Sequence, residues 1–170
     1  MSYAVDISQS AVLDTLYDFI AGLLPVDPNN IVRGLGNGVS MPEGPFVCMT
    51  VTSQKRLATN IDNYTDPVTT IGTRAVMQKS QLTVQIDVYG PQSNDWALIL
   101  TTMFRDPYGC DMLAPNVSPL YADDPNMIPL TNAESNYEER WFVTAVLQYN
   151  PVVSVPQQFA DKASVTLIKP

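Results

Sequence analysis

The side chains best suited to chemistry in this chain are two adjacent acidic pairs, Asp123 with Asp124 and Glu138 with Glu139. Paired carboxylates can divide acid and base work when one of them is held in a desolvating cleft. Asp123 and Asp124 lie in a proline-rich stretch beside Tyr121, where solvation is the default. Glu138 and Glu139 alternate faces of an extended segment, so they do not converge. The chain has no histidine, which removes the commonest general base and the commonest metal ligand together. Serines and threonines are plentiful, but a nucleophile would then need lysine as its base, and no Ser-x-x-Lys spacing occurs. Cys48 and Cys110 are the only cysteines, far apart and without a C-x-x-C pattern. A zinc site needs more ligands than they supply, and two free thiols are expected. These residues imply no cofactor and no enzyme. Trp96, Trp141, Tyr89 and Tyr121 are expected as core or interface anchors.

Charge and length narrow the class further. The 170 residues suit one domain, and 45% hydrophobic content is enough to fill a core. Nine basic residues against 17 acidic ones give a net charge of −8. That balance opposes binding nucleic acid by phosphate neutralisation, which needs a basic stripe. The first residues lack the basic and apolar parts of an export signal, and no apolar run is long enough to span a membrane. A soluble protein is expected.

The periodicities define the elements that must position these residues. Apolar positions Val12, Leu16, Phe19, Ile20 and Leu23 predict a helix over 7–24, capped by Ser10 and stopped by Pro25. Gly34, Gly36 and Gly38 suggest a phosphate loop only superficially, because Pro42 and Pro45 leave no room for the helix that would hold phosphate. A strand is expected over 46–57, then a polar loop or hairpin tip over 60–72. Strict alternation over 76–89 predicts one long antiparallel strand, with Val76, Leu82, Val84, Ile86 and Val88 inward and Lys79, Gln81, Thr83, Gln85 and Asp87 on a wet face. A second helix over 93–105, capped by Ser93 or Asn94, presents Trp96, Ile99, Leu100, Met103 and Phe104, and ends at Asp106 to Gly109. Cys110 is expected in a loop, and residues 111–136, which lack periodicity and carry four prolines, predict a long irregular segment that is functional or pinned by a neighbour.

The strand over 137–149 has a second face that is only half polar, because Phe142 and Val146 interrupt Arg140, Thr144 and Gln148. Such a face needs a cover. The following segment, 151–158, has prolines at 151 and 156 and reads as an extended arm leaving the domain. A short strand closes the chain at 163–169. The expected architecture is α+β, a mostly antiparallel β-sheet with two helices on one face. Residues 1–150 form its body, and 151–170 form an extended arm and short C-terminal strand of the same domain.

Several segments together resemble a known family. They are GPFVCMT at 44–50, RLATNIDNYTD at 56–66, YGPQSNDW at 89–96, PLYADD at 119–124, YEERW at 137–141 and QYNPVV at 148–153. In this order they resemble the neck or tail terminator proteins of tailed bacteriophages, over roughly residues 10–160. The resemblance implies a structural virion protein without enzymatic activity or cofactor. It implies a homo-oligomeric ring, usually a hexamer, that caps the tail tube and joins the tail to the head-side connector, with the genomic DNA passing through. Tail tube protein, sheath protein and connector protein are the implied partners, the virion the destination, and the host cytoplasm the place of assembly. A different neck component, such as a connector or stopper ring, is the rival expectation, and a small-ligand binding module a more distant one. Six copies would carry 6 × −8 = −48, and like charge at a lumen lets DNA slide. Subunit or partner contacts are expected at Arg56, Asn60, Asp62, Tyr64 and Asp66 in the hairpin tip, at Tyr121, Asp123 and Asp124 in the irregular segment, and at Pro151, Val153 and Pro156 in the arm.

Overall fold

The computed structural model describes residues 3, 5–36, 40–67, 71–113, 115, 117–131 and 137–160. Its elements in chain order are α1 (Gln9–Leu23), β1 (Ile31–Arg33), β2 (Phe46–Arg56), β3 (Ile61–Thr65), β4 (Gly72–Met77), β5 (Ser80–Tyr89), α2 (Ser93–Phe104), α3 (Pro107–Leu113), β6 (Val117–Ala122), β7 (Asn126–Met127), β8 (Leu130–Thr131), β9 (Tyr137–Glu138), β10 (Arg140–Tyr149) and β11 (Val152–Gln157). The fold is α+β, as the periodicities predict.

Helix α1 buries Val12, Leu16, Phe19 and Ile20 from the expected stripe and adds Leu13, while Leu23 stays half-buried. Its cap is Ser8, whose hydroxyl accepts a hydrogen bond from the Ala11 amide at 3.1 Å. Ser10, expected in that role, instead accepts a hydrogen bond from Arg33 at 2.8 Å. Leu24 is extended ahead of Pro25, the conformation a residue before proline prefers.

The main sheet runs β1-β2-β5-β10-β6, with β7 pairing farther along β10. Only β1 and β2 are parallel; the other pairs are antiparallel. One face carries Val47, Met49, Leu82, Val84, Ile86, Val88, Val143, Ala145 and Leu147, and it packs with the apolar faces of the helices into one core. Each fully buried leucine or isoleucine there contributes roughly 2 kcal/mol of transfer free energy. Phe19 of α1 meets Phe104 of α2 edge-on, with ring centroids 6.1 Å apart, and so joins the two helices above the sheet.

Several expectations are corrected. The alternation over 76–89 is two strands in two sheets, because the chain leaves the main sheet at Gln78 and Lys79. There the Gln78 amide donates to the Pro151 carbonyl at 3.0 Å, and the Lys79 carbonyl accepts from the Leu57 amide at 2.9 Å. A two-residue break preserves the period of two, so alternation is blind to it. Part of the polar 60–72 loop is a strand, β3, pairing with β4 as a hairpin. Asp106 ends α2 but not the helical region, since α3 follows at Pro107 and contains Cys110. Proline suits a first helical position, so it started this helix rather than preventing one.

The irregular 111–136 segment holds β6, β7 and β8. Pro119 lies within β6, which the sheet order places at an edge, where a missing amide donor is tolerated. The 151–158 arm is extended as expected, but it does not leave the domain. Its β11 pairs with β4 in a second sheet of order β11-β4-β3, again as an edge strand that accommodates Pro156. Caps also differ at α2, where Gln92 occupies the cap position without a side-chain bond and Ser93 is buried at the first turn. The strand expected over 163–169 lies outside the described residues.

Gly34 shows what the glycine-rich stretch is for. Its amide donates to the Met49 carbonyl at 2.8 Å, and a Cβ there would lie 2.1 Å from Thr50 Oγ1. The glycine allows the chain after β1 to lie against β2, a close approach that a side chain would block.

Candidate docking surfaces

The three helices cover one face of the main sheet, and the other face is built around a charge. Asp87, expected on a wet face, is 4% exposed. Arg140 on the neighbouring strand donates to Asp87 Oδ1 from Nε at 3.0 Å and from Nη2 at 2.8 Å. Gln85 Nε2 donates to both carboxylate oxygens at 2.9 Å. The Arg140 guanidinium also lies over the Tyr89 ring, 5.6 Å from its centroid, and Tyr89 stacks on Phe46 at 4.1 Å and 10°. Burial works against the charge of Arg140, and the hydrogen bond and charge of Asp87 outweigh it, so its pKa lies above the ordinary arginine value. Burial raises the Tyr89 phenol, with Arg140 acting against it. Cys48 on the same face is also raised by burial, opposed by its contact with Thr50, which leaves a protonated, poorly nucleophilic thiol at neutral pH.

At this end of the sheet a groove of about 620 Å³ opens to solvent. Met41, Phe46 and Tyr89 supply its apolar surface, and Glu43, Glu138 and Glu139 supply its acidic one. Glu139 accepts a hydrogen bond from Trp141 Nε1 at 2.8 Å, which ties the rim to the start of β10. The two adjacent glutamates therefore flank a groove, a juxtaposition that their spacing in the chain did not reveal.

The small sheet gathers one group of the expected contact residues. Asp62 and Tyr64 sit on β3 and Val153 and Pro156 on β11, with Asn60 and Asp66 flanking β3 and Pro151 preceding β11. Asp62 pairs with Arg74 at 2.8 Å, and Arg74 lies over the Tyr64 ring at 5.9 Å. Tyr64 meets Phe159 edge-on at 6.2 Å but remains 56% exposed. Arg56 ends β2 where the hairpin begins, and its Nε donates to the Ala58 carbonyl at 2.8 Å. Val153 bridges to Val5, and Asp6 accepts from the Val152 amide at 2.6 Å, so the segment before α1 ties β11 down.

The second group lies on the far edge of the main sheet. Tyr121 is half exposed on β6, opposite Val146. The Asp123 amide donates to the Thr144 carbonyl at 2.9 Å, and Asp124 pairs with Arg105 at 2.9 Å. Arg105 also donates to the Ala122 carbonyl, which fixes α2 to this edge. Asp123 is therefore held through its backbone and Asp124 through its side chain, and both residues are exposed, as the structural reading of that pair expects. Leu120, Met127 and Ile128 stand beside them, all largely exposed. No hydrogen bond or ion pair among the described residues joins this group to the small sheet.

Among the described residues no three His, Cys, Asp or Glu side chains gather as metal ligands, and no helix is long and apolar enough to cross a membrane. What the fold and its surfaces define is an α+β protein whose distinctive features, among the described residues, are edge strands with exposed apolar side chains and a charged groove. A family model described as phage neck terminator protein matches residues 10–170, and the chain belongs to that family. It is thus a structural component of the phage neck and of the virion. No curated protein matches the chain.

Proposed function

We propose that the chain assembles into a ring, of six copies, that closes the upper end of the tail tube and joins it to the head-side connector, with DNA passing through the opening. The observation that carries this reading is that, among the described residues, the strands that end both sheets bear large exposed apolar side chains. β6 ends the main sheet with Leu120 at 42% and Tyr121 at 50% exposure, and β3 ends the small one with Ile61 at 40% and Tyr64 at 56%. Unpaired edge strands with apolar side chains invite pairing with another chain, and a structural neck subunit supplies such neighbours. The β3 arm of the β3–β4 hairpin, from Asn60 to Asp66, suits contact with the tube or an adjacent ring. The acidic balance of the chain suits a lumen along which DNA slides.

Sedimentation velocity and negative-stain imaging of the purified chain test this. The expected result is a closed ring of six copies with a central opening. Single copies persisting at high concentration and in the presence of tube and connector proteins would overturn it.

A further inference from the structure

The strands that end the two larger sheets differ in how they are prepared to meet another chain. Edges that must stay single are blunted by shortness, by proline or by side chains bonded to the backbone. β1 and β7 have three and two residues. β6 contains Pro119, which has no amide to offer, and its Ala122 carbonyl accepts from Arg105 Nε at 3.0 Å and Nη2 at 2.6 Å. What β6 offers a neighbour is side chains rather than a ladder. β11 contains Pro156, and Asp6 occupies both the amide and the carbonyl of Val152. β3 carries none of these devices. It has no proline, all five of its residues are exposed, and among the described residues only β4 pairs with its backbone.

The alternation of an antiparallel ladder identifies the groups that β3 presents. Val152 turns its amide and carbonyl away from β4, towards Asp6, so Val153 and Val155 turn theirs inward. These stand opposite Val76 and Arg74, which leaves Thr73, Ala75 and Met77 to bond Thr65, Asn63 and Ile61 of β3. The backbone groups of Asp62 and Tyr64 therefore point outward, two donors and two acceptors along one edge. Their side chains are already settled, since Arg74 pairs with Asp62 at 2.8 Å and lies over the Tyr64 ring at 5.9 Å. A strand added here buries no lone charge.

We propose that β3 takes up a strand from a different neck or tail protein, an extended segment that bonds Asp62 and Tyr64 and carries carboxylates towards Lys55, Arg56 and Lys79. This rests on the proposed place of the subunit in the neck and names how the hairpin meets its neighbour. A second copy is a poor source of the strand. Its β6 and β11 are blunted, and β3 pairing with β3 is two-fold, which joins two copies and stops, whereas a ring joins unlike surfaces. The charge of the partner follows from the corner beside the start of β3. β4 runs from Met77, opposite Ile61, towards Lys79, whose carbonyl accepts from the Leu57 amide just beyond Lys55 and Arg56. Arg33, Arg74, Arg105 and Arg140 each have a carboxylate partner, but these three cations make no ion pair among the described residues. Main-chain bonds then supply the attachment, and an acidic strand is the one this corner attracts.

The experiment compares amide exchange, residue by residue, in the full chain purified alone and in neck particles taken from virions. The Asp62 and Tyr64 amides are expected to slow by at least about tenfold in the particle, whereas Asn63, already bonded to β4, changes little. A contact through side chains would not alternate in this way. Two substitutions isolate the backbone: Tyr64→Ala removes the ring and keeps the amide, and Tyr64→Pro removes both at an outward position that tolerates proline. The proline variant should enter neck particles several-fold less than the alanine variant, with melting by circular dichroism confirming that both fold. Where Tyr64→Pro does not fold, the exchange pattern decides. Lys55→Glu with Lys79→Glu should lower incorporation by more than about fivefold, and no change would overturn the acidic partner. Asp62 and Tyr64 amides that exchange as fast in the particle as in the purified chain overturn strand addition while the ring reading stands. Protection already present in the purified chain assigns the edge to this chain or a second copy and overturns the choice of partner. A chain that forms no ring, even beside its neck neighbours, overturns the ring reading whatever β3 does.

Discussion

Asp87 occupies a position that alternation assigns to water, yet its side chain is only 5% exposed. The cost of burying that carboxylate is offset by three donors from Arg140 and Gln85 rather than by solvent. Replacing Arg140 with methionine keeps much of its volume and removes its charge, leaving Asp87 with Gln85 alone. The expected outcome is a loss of about 3 kcal/mol, read as a lower midpoint in urea unfolding at neutral pH. An unchanged midpoint would show that water reaches Asp87 freely. Sequence could not reveal this residue's situation. Alternation marks which face a side chain takes, whereas its environment depends on which strand lies beside it, and Arg140, 53 positions along the chain from Asp87, is brought beside it by the pairing of β10 with β5.

At the scale of elements, prolines misled more than any other signal. Pro119 and Pro156 both lie inside strands, and both strands are edges. A proline excludes a central strand and says nothing against an edge, which is why neither segment is a plain loop or a free arm. What holds β11 in place is contributed from the other end of the chain. Asp6 Oδ1 accepts from the Val152 amide at 2.6 Å, and the Asp6 amide donates to the Val152 carbonyl at 3.2 Å. Asp6→Ala removes the first of these bonds and also the one from the Ile7 amide. Amide hydrogen exchange at Val152 is then expected to accelerate about fivefold to tenfold, matching a loss of roughly 1 kcal/mol, while exchange in β5 and β10 stays unchanged. Equal acceleration in the main sheet would mean that the two sheets open as one unit. Helices α1 and α2 and the strand β10 were legible because their apolar residues recur at a single period along the element, whereas α3 has only seven residues. β1 and β7, at three and two residues, are too short to show a period at all.

For the molecule as a whole, the exposed apolar edge is the feature on which the proposed assembly depends. Leu120 and Tyr121 contribute little to the core of the single chain, since they stand outward at the rim of the sheet. Leu120→Asp is therefore expected to change the unfolding midpoint by the equivalent of less than about 1 kcal/mol. It should nonetheless reduce the assembled fraction several-fold in sedimentation velocity, because a carboxylate would have to be buried at the contact. A drop in stability with assembly intact would place Leu120 in the fold and not in an interface. The expected contact residues divide between this edge and the small sheet, and the acidic groove was not foreseen. Glu138 and Glu139 were visible as a pair, but the loop residues that complete the groove with them, from Met41 to Pro45, are remote in the chain.

Composition and period were sufficient to determine the class of this protein. The absence of histidine, the acidic balance, two helical stripes and two long alternating segments allow an α+β subunit, and the order of its motifs resembles the neck terminators to which it belongs. Tertiary structure alone decided which strand is an edge, which carboxylate is buried and which charges have partners. The physical reason is that period reports one segment's own faces, whereas edges, ion pairs and grooves are relations between segments that only the folded chain brings together.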